Sequence, residues 1–480
     1  MEKISINDLV NEVISDLPRE ILIYVAQNLE VDTLEKNQII EYFKNEVSHY
    51  SAKVQKKVIN CTGTLLHTNL GRSQIDTDYS GESTNIEFDL FNQKRGKRNE
   101  FLNELMNLLL NSEDACFVNN NASSLYITLK TLKDEFEINS VIISRGEIIE
   151  IGGSYRLPEI IQETGLNMIE IGTTNKTRLK DYQKALEKNE KSLILKVHRS
   201  NYSIEGFTED VDIKELRSLA DKNDALLLHD IGSGLVISRK FLEKENISIF
   251  NSEPTIQESL EDGSDLVMFS GDKLFGSVQS GIIAGNQKII KKIKDSPLFR
   301  TYRCSPFTLY ELQETTIKYV SKRELEIPVW KMISLKYEDL YKRAEEISKV
   351  IKFDHSIVDD YSIMGGGTMP NKKILSPVLK IDMLNNEHLL KNLISHSKPI
   401  IPRIQKEKIV IDLNNNIKDN SMNKEEILIL ASIIEKEAGN HFEKKDIDYQ
   451  KFRKLLTLLV CISFLISIGY WINPYSNPYL

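Results

Sequence analysis

DLVMFSGDKLFG, residues 265–276, is the stretch on which the fold turns. Leu266 to Phe269 is a continuous apolar run, too short for a helix and closed by Ser270-Gly271, and so reads as a strand buried on both faces. Lys273 follows at the carboxyl end of that strand, where open α/β sheets place their ligands. Upstream the same pattern repeats. Strands are predicted at Cys116–Val118, Ser140–Ser144, Asn167–Ile171, Ser192–Val197 and Ala225–His229, and downstream at Gly281–Ala284. Helical periodicity separates them, beginning with Phe101–Leu110. Apolar strands spaced by helices imply a mostly parallel sheet covered by helices.

Beyond this block, a long helical stretch is expected from Pro306 to Val350, followed by a smaller C-terminal α/β domain with strands at Pro377–Ile381 and Ile409–Leu413. The expected division is a short helical N-terminal arm at 1–57, a large α/β domain at 58–305, a connecting helix and small domain at 306–440, and a linker with hydrophobic tail at 441–480. The net charge of −8 argues against a generally basic coat for nucleic acid, so any RNA contact must be local. Four scattered cysteines (Cys61, Cys116, Cys304, Cys461) form neither a zinc knuckle nor a disulfide framework, which suits a reducing cytoplasm. The N-terminus lacks the apolar core of a signal peptide. Leu455–Ile472 is 18 residues without a charge, preceded by Lys451, Arg453 and Lys454 and ending in Tyr470-Trp471. It is a candidate C-terminal membrane anchor or, equally, an interface helix.

Three strand ends carry chemistry. An amine that forms a Schiff base must be desolvated and held rigidly, and Lys273 at a strand-end turn meets both needs. In ALLLHDIGSG, residues 225–234, Asp230 also closes a strand; a carboxylate there can keep a pyridine nitrogen protonated. In FVNNNAS, residues 117–123, Asn120, Asn121, Ala122 and Ser123 open a helix whose N–H groups can receive a phosphate. Each has an ordinary reading, as surface lysine, turn aspartate and helix cap. Their order, phosphate turn then Asp then Lys, points to pyridoxal 5'-phosphate (PLP).

With these motifs the chain resembles the bacterial selenocysteine synthases, the L-seryl-tRNA(Sec) selenium transferases. The resemblance runs from about Val58 to Leu413. VINCTGTLLHTNLGRS, IEFDLFNQKRGKR, FVNNNAS, VIISRGEIIEIGGSYRLPEI, EIGTTNKT, LKVHRSNYSIEGFT, HDIGSG and LVMFSGDKLFG carry it, with GGGTMP and IIPRI matching more weakly. It implies a fold-type-I PLP-dependent transferase with Lys273 as the cofactor-bearing amine and Asp230 at the pyridinium. Ser270 and His198 join the cofactor site by the same resemblance, and His67, Asn69 and Asn201 fall near it. The anion-binding arginines fall on Arg95, Arg98, Arg300 and Arg303. The implied reaction removes the serine hydroxyl of seryl-tRNA(Sec) through an aminoacrylyl intermediate and adds selenium from selenophosphate, in a homo-oligomer. Arginine forks suit such a polyanion, and the spacing of Arg300 and Arg303 suggests convergence from one helical turn. A solvated basic surface is the plainer reading of both arginine groups. Arg145, Glu147 and Glu150 could orient either substrate or neighbouring chain segments.

Several segments depart from the family pattern. The arm before Val58 is short for a tRNA grip, QIDTDYSGESTN (74–85) replaces a usual helix, and Ser305-Pro306 stands where an Asp-Lys pair is general. GSVQSG (276–281) replaces a Gly-Gly-Pro, and the hydrophobic tail is foreign to the pattern. These leave open a related lyase or transferase acting on a small amino acid without tRNA, and a non-catalytic or membrane-tethered relative.

Overall fold

The computed structural model describes residues 4–29, 34–151, 155–349, 351, 354–382, 387–395 and 398–414. The hydrophobic tail, with the candidate anchor at 455–472, lies outside the described residues. Among the described residues, no helix is long and apolar enough to cross a membrane.

The strands expected around Lys273 form one seven-stranded sheet. In chain order they are β1 (Asp114–Val118), β2 (Ser140–Ser144), β3 (Asn167–Ile171), β4 (Ser192–Val197), β5 (Leu226–Gly232), β6 (Leu266–Ser270) and β7 (Gly281–Gly285). Their spatial order is β1-β7-β6-β5-β4-β2-β3. β6, β5, β4, β2 and β3 pair in parallel, and β7 runs antiparallel to both its neighbours. Every residue of β2, β4, β6 and β7 is buried, as expected of strands covered on both faces. One apolar cluster under the sheet holds Val267, Phe269, Phe275 and Trp330; another across it holds Val141, Leu195, Leu228 and Met268. The parallel strands therefore end together, and their carboxyl ends form one crevice.

A second sheet has five strands: Ile59–Cys61, β8 (His355–Gly365), β9 (Thr368–Asp382), β10 (Ile400–Gln405) and β11 (Lys408–Asp412). Their order is Ile59–Cys61, β10, β11, β9, β8. Ile59–Cys61 was assigned by position to the large domain, yet it pairs in parallel with β10 and so completes the small sheet. A three-residue strand has too little pattern to name its partner, and only the returning chain supplies one.

The helical stretch expected as one unit from Pro306 to Val350 is broken. It forms Pro306–Val320, Pro328–Ile333 and Tyr337–Ser348. Lys322 adopts a left-handed backbone (φ 58°) and Pro328 opens the second piece, so the helix cannot run through the first break. The N-terminal arm comprises helices Ile6–Asn11, Arg19–Gln27 and Lys36–Lys53, which share a core of Leu9, Val10, Leu22, Val25, Phe43 and Val47.

Candidate active site

The carboxyl ends of β1, β4, β5 and β6 surround a cavity of about 850 Å³. Lys273, Asp230, Ser270, His198 and the turn Asn120–Ser123 all line it. The sheet brings these groups from separate motifs to one place.

The turn is shaped by its own side chains. Asn120 caps helix Asn121–Phe136, its Oδ1 accepting from Ser123 N at 2.8 Å. Gly281 on β7 lies so close beneath that a Cβ there would sit 2.3 Å from Asn120 O. A glycine at 281 is what lets the helix N-terminus settle against the sheet. The first-turn N–H groups of this helix carry its partial positive charge, a suitable seat for a phosphate.

Asp230 is buried, and burial raises its carboxyl above the ordinary carboxylate value against the opposing influence of Asn121, Lys273 and His198. Asn121 Nδ2 donates to Asp230 Oδ1 at 2.8 Å, leaving the buried Asn121 Oδ1 without a partner among the described residues. Lys273 is also buried. Burial, then the nearby Arg72 guanidinium, depress its ammonium below the ordinary lysine value, opposed by Asp272, Asp230 and Glu253. Gly232, with φ 65°, leaves room beside the amine: a Cβ there would lie 3.9 Å from Lys273 Nζ and 3.8 Å from Asp230 Oδ1.

The wall continues through residues whose roles the motifs did not reveal. Arg72 lines the cavity and its Nη1 lies 3.0 Å from Asp272 Oδ2. Ser73 N donates to Asp272 O, so the LHTNLGRS segment is strapped to the residue before the lysine. Arg72 was visible in that motif as its one cation, but nothing local connected it to Asp272. From the same segment Thr68 lines the cavity, whereas His67 and Asn69 do not. Asn201 lines it, its Nδ2 donating to Glu150 O, and Met369 N donates to Ser200 O so that Gly366 and Gly367 of the small sheet close the rim.

Glu147 supports the site from behind. Its Oε2 accepts from Val197 N, and its Oε1 lies 2.6 Å from Lys196 Nζ, which also reaches Asp210. Arg145 and Glu150 instead form exposed ion pairs with Glu170 and Arg156.

The four arginines stand apart from the cavity lining. Arg95, Arg98 and Arg303 gather on a single carboxylate, Glu87, at 3.3, 3.0 and 3.5 Å. Arg98 also donates to Cys304 O. Arg300 lies in helix Pro297–Thr301 and is exposed. Arg303 follows the end of that helix and forms an isolated bridge with Val118, so the two do not share a helical turn. Tyr302, the residue before Arg303, does line the cavity, and its carbonyl accepts from Asn119 N.

Comparison with known proteins gives a consistent picture. The family model for L-seryl-tRNA selenium transferase matches residues 58–416. An L-seryl-tRNA(Sec) selenium transferase of Alkaliphilus oremlandii is 37% identical over 441 residues, covering 85% of this chain and 92% of the relative. One of Aliarcobacter butzleri is 36% identical over 443 residues, covering 88% and 95%. Among solved structures, D-glucosaminate-6-phosphate ammonia-lyase superposes with a TM-score of 0.55 at 18% identity, covering 80% of this chain and 97% of that one, a likeness of fold.

Proposed function

The chain belongs to the L-seryl-tRNA selenium transferase family, and from that premise we propose that it converts L-seryl-tRNA(Sec) to L-selenocysteinyl-tRNA(Sec) on pyridoxal phosphate carried by Lys273. The architecture is that of a fold-type-I PLP enzyme, with the crevice at the carboxyl ends of a mostly parallel sheet. One observation supports the cofactor assignment above the others: the buried amine of Lys273, the buried carboxylate of Asp230 and the Asn120–Ser123 helix start face one cavity. Together they match an aldehyde, a pyridine nitrogen and a phosphate.

Bound PLP supplies an electron sink for the carbanion left when serine loses its Cα proton. The chain's residues do the rest. The helix start at Asn121 receives the phosphate, and Asp230, oriented by Asn121, holds the proton on the ring nitrogen. Lys273 Nζ, with its depressed affinity for protons, takes the Cα proton, and a base is useful when its pKa is drawn toward working pH. Ser270 and His198 narrow the cavity about the ring.

Selenophosphate is the selenium donor in this reading, and Arg95, Arg98, Arg300 and Arg303 are its receptor. Three guanidinium groups on the one Glu87 carboxylate leave an excess of positive charge beside Tyr302, suited to a small polyanion. The helical arm, with its separate core, is the element assigned to tRNA, which an acidic chain must recognise by local shape rather than bulk charge. We also assign the chain to a homo-oligomer, because fold-type-I sites are shared between subunits.

The deciding experiment combines purified protein, seryl-tRNA(Sec) and selenophosphate, and looks for selenocysteinyl-tRNA(Sec). Absence of product, with turnover of a free amino acid instead, rejects this function.

A further inference from the structure

We propose that Glu253 is a positioning residue: from behind the cavity wall its carboxylate holds the His198 imidazole, and through it the cofactor ring. The inference rests on the reading of the cavity as a PLP site and adds to it a residue outside the cavity lining.

Glu253 is 5% exposed, in the loop between Phe250 and Thr255. Its Oε1 lies 3.1 Å from His198 Nε2. Neither of these two buried atoms has a hydrogen-bond partner among the described residues, so they face each other and nothing else. The backbone of His198 is already tied down, its N–H donating to Asp230 O at 2.8 Å. The residue is thus tied by its main chain to Asp230, and its imidazole lies close against the Glu253 carboxylate.

The loop itself is built rigidly. Arg239 forks onto Glu258 at 2.8 and 2.6 Å, and donates to Phe250 O at 2.8 Å and Glu253 O at 2.7 Å. Phe250 is buried edge-on against Trp330, with ring centroids 5.3 Å apart. Pro254 follows, and Thr255 caps the next helix. These contacts fix the backbone from which Glu253 projects toward His198.

Such a buried acid is costly, and an apolar residue would be at least as stabilising. Burial opposes its ionisation, but His198, the Ser233 hydroxyl and Lys273 outweigh burial and hold the carboxyl below its ordinary value. Of these groups, His198 and Lys273 line the cavity. Its charge is oriented toward the chemistry rather than toward a partner arginine. A metal-site analogy is apt: carboxylates behind histidines set ring orientation and tautomer.

The test is a double-mutant cycle on the full-length, PLP-loaded protein, using Glu253→Gln, His198→Ala and both. The PLP dissociation constant is read from the visible absorbance after dilution, and the urea midpoint is measured on the same samples. Glu253→Gln is expected to weaken PLP binding roughly tenfold, a coupling normal for contacting residues, and to have under about twofold effect once His198 is Ala. Should Glu253→Gln not fold, Glu253→Met carries the same cycle without charge. An unchanged PLP constant in the single variant, or the same loss in both backgrounds, overturns the proposal. Wild-type protein that binds no PLP instead removes the cofactor reading beneath it.

Discussion

Asn121 Nδ2 donates to Asp230 Oδ1 at 2.8 Å, joining the helix that opens after β1 to the end of β5 across 109 positions of chain. The first turn of that helix and the Asp230 carboxylate are thereby tied together. The contact also orients a carboxylate whose burial is otherwise unfavourable.

Asp230→Asn separates function from stability. Burial raises the Asp230 carboxyl, so its stabilising contribution is present below the unfolded value of about 3.9 and is lost as pH rises through the folded value. At neutral pH the ionised group therefore costs stability in the unloaded chain. Asn keeps the shape and can still accept from Asn121. Unloaded Asp230→Asn should show a higher urea midpoint than wild type at pH 7, with the gap narrowing toward pH 4. The same variant should hold PLP more weakly and lose most turnover. Equal midpoints at both pH values would count against the linkage.

Lys273→Ala should leave no PLP that borohydride can fix to the chain. Mass spectrometry of the reduced, digested protein checks it: wild type carries the adduct on the Lys273 peptide and the variant carries none. An adduct retained on another lysine relocates the site.

Lys196→Met should destabilise the protein by about 3–5 kcal/mol, because Glu147, 1% exposed, then stands buried without its cation. Adding Glu147→Gln should recover part of that loss. Urea unfolding of the two variants decides. A double variant no more stable than the single shows that the pair matters through packing and not charge.

Arg303→Ala should impair selenium addition while leaving PLP content unchanged, since Arg303 sits on the Glu87 cluster and outside the cavity lining. Losing one charge-assisted contact of about 1.5–3 kcal/mol raises the selenophosphate KM roughly 10- to 150-fold. Arg98→Ala is the contrast, because Arg98 also holds Cys304 O and its loss should lower the urea midpoint as well. An Arg303→Ala enzyme with wild-type selenophosphate dependence excludes these arginines as the receptor.

Deletion of residues 1–50 should abolish binding of seryl-tRNA(Sec) and spare the PLP spectrum. The arm packs on its own cluster of Leu9, Val10, Leu22, Val25, Phe43 and Val47, separate from the clusters that flank the large sheet. Filter binding and absorbance on the truncated protein are the two readouts. Retained tRNA affinity moves the recognition surface elsewhere.

The sequence by itself determined the large sheet and the three groups at its mouth. β2, β3 and β4 fall on the residues their apolar runs predicted, and Lys273, Asp230 and Asn120–Ser123 stand at strand ends because a buried strand must be followed by a turn. Those signals are local: they lie within a few residues of one another and survive any arrangement of the rest. What only the tertiary structure decided is pairing at long range. Arg72 meets Asp272 across 200 positions, Arg95, Arg98 and Arg303 converge on Glu87 instead of Arg300 joining Arg303, and Ile59–Cys61 completes the far sheet. Glu253 is the clearest case, since an acid in a polar Asn-Ser-Glu-Pro loop reads as solvated surface. A charge has no periodicity to betray its partner, and only the packing of the loop by Arg239 and Phe250 turns that acid inward to His198.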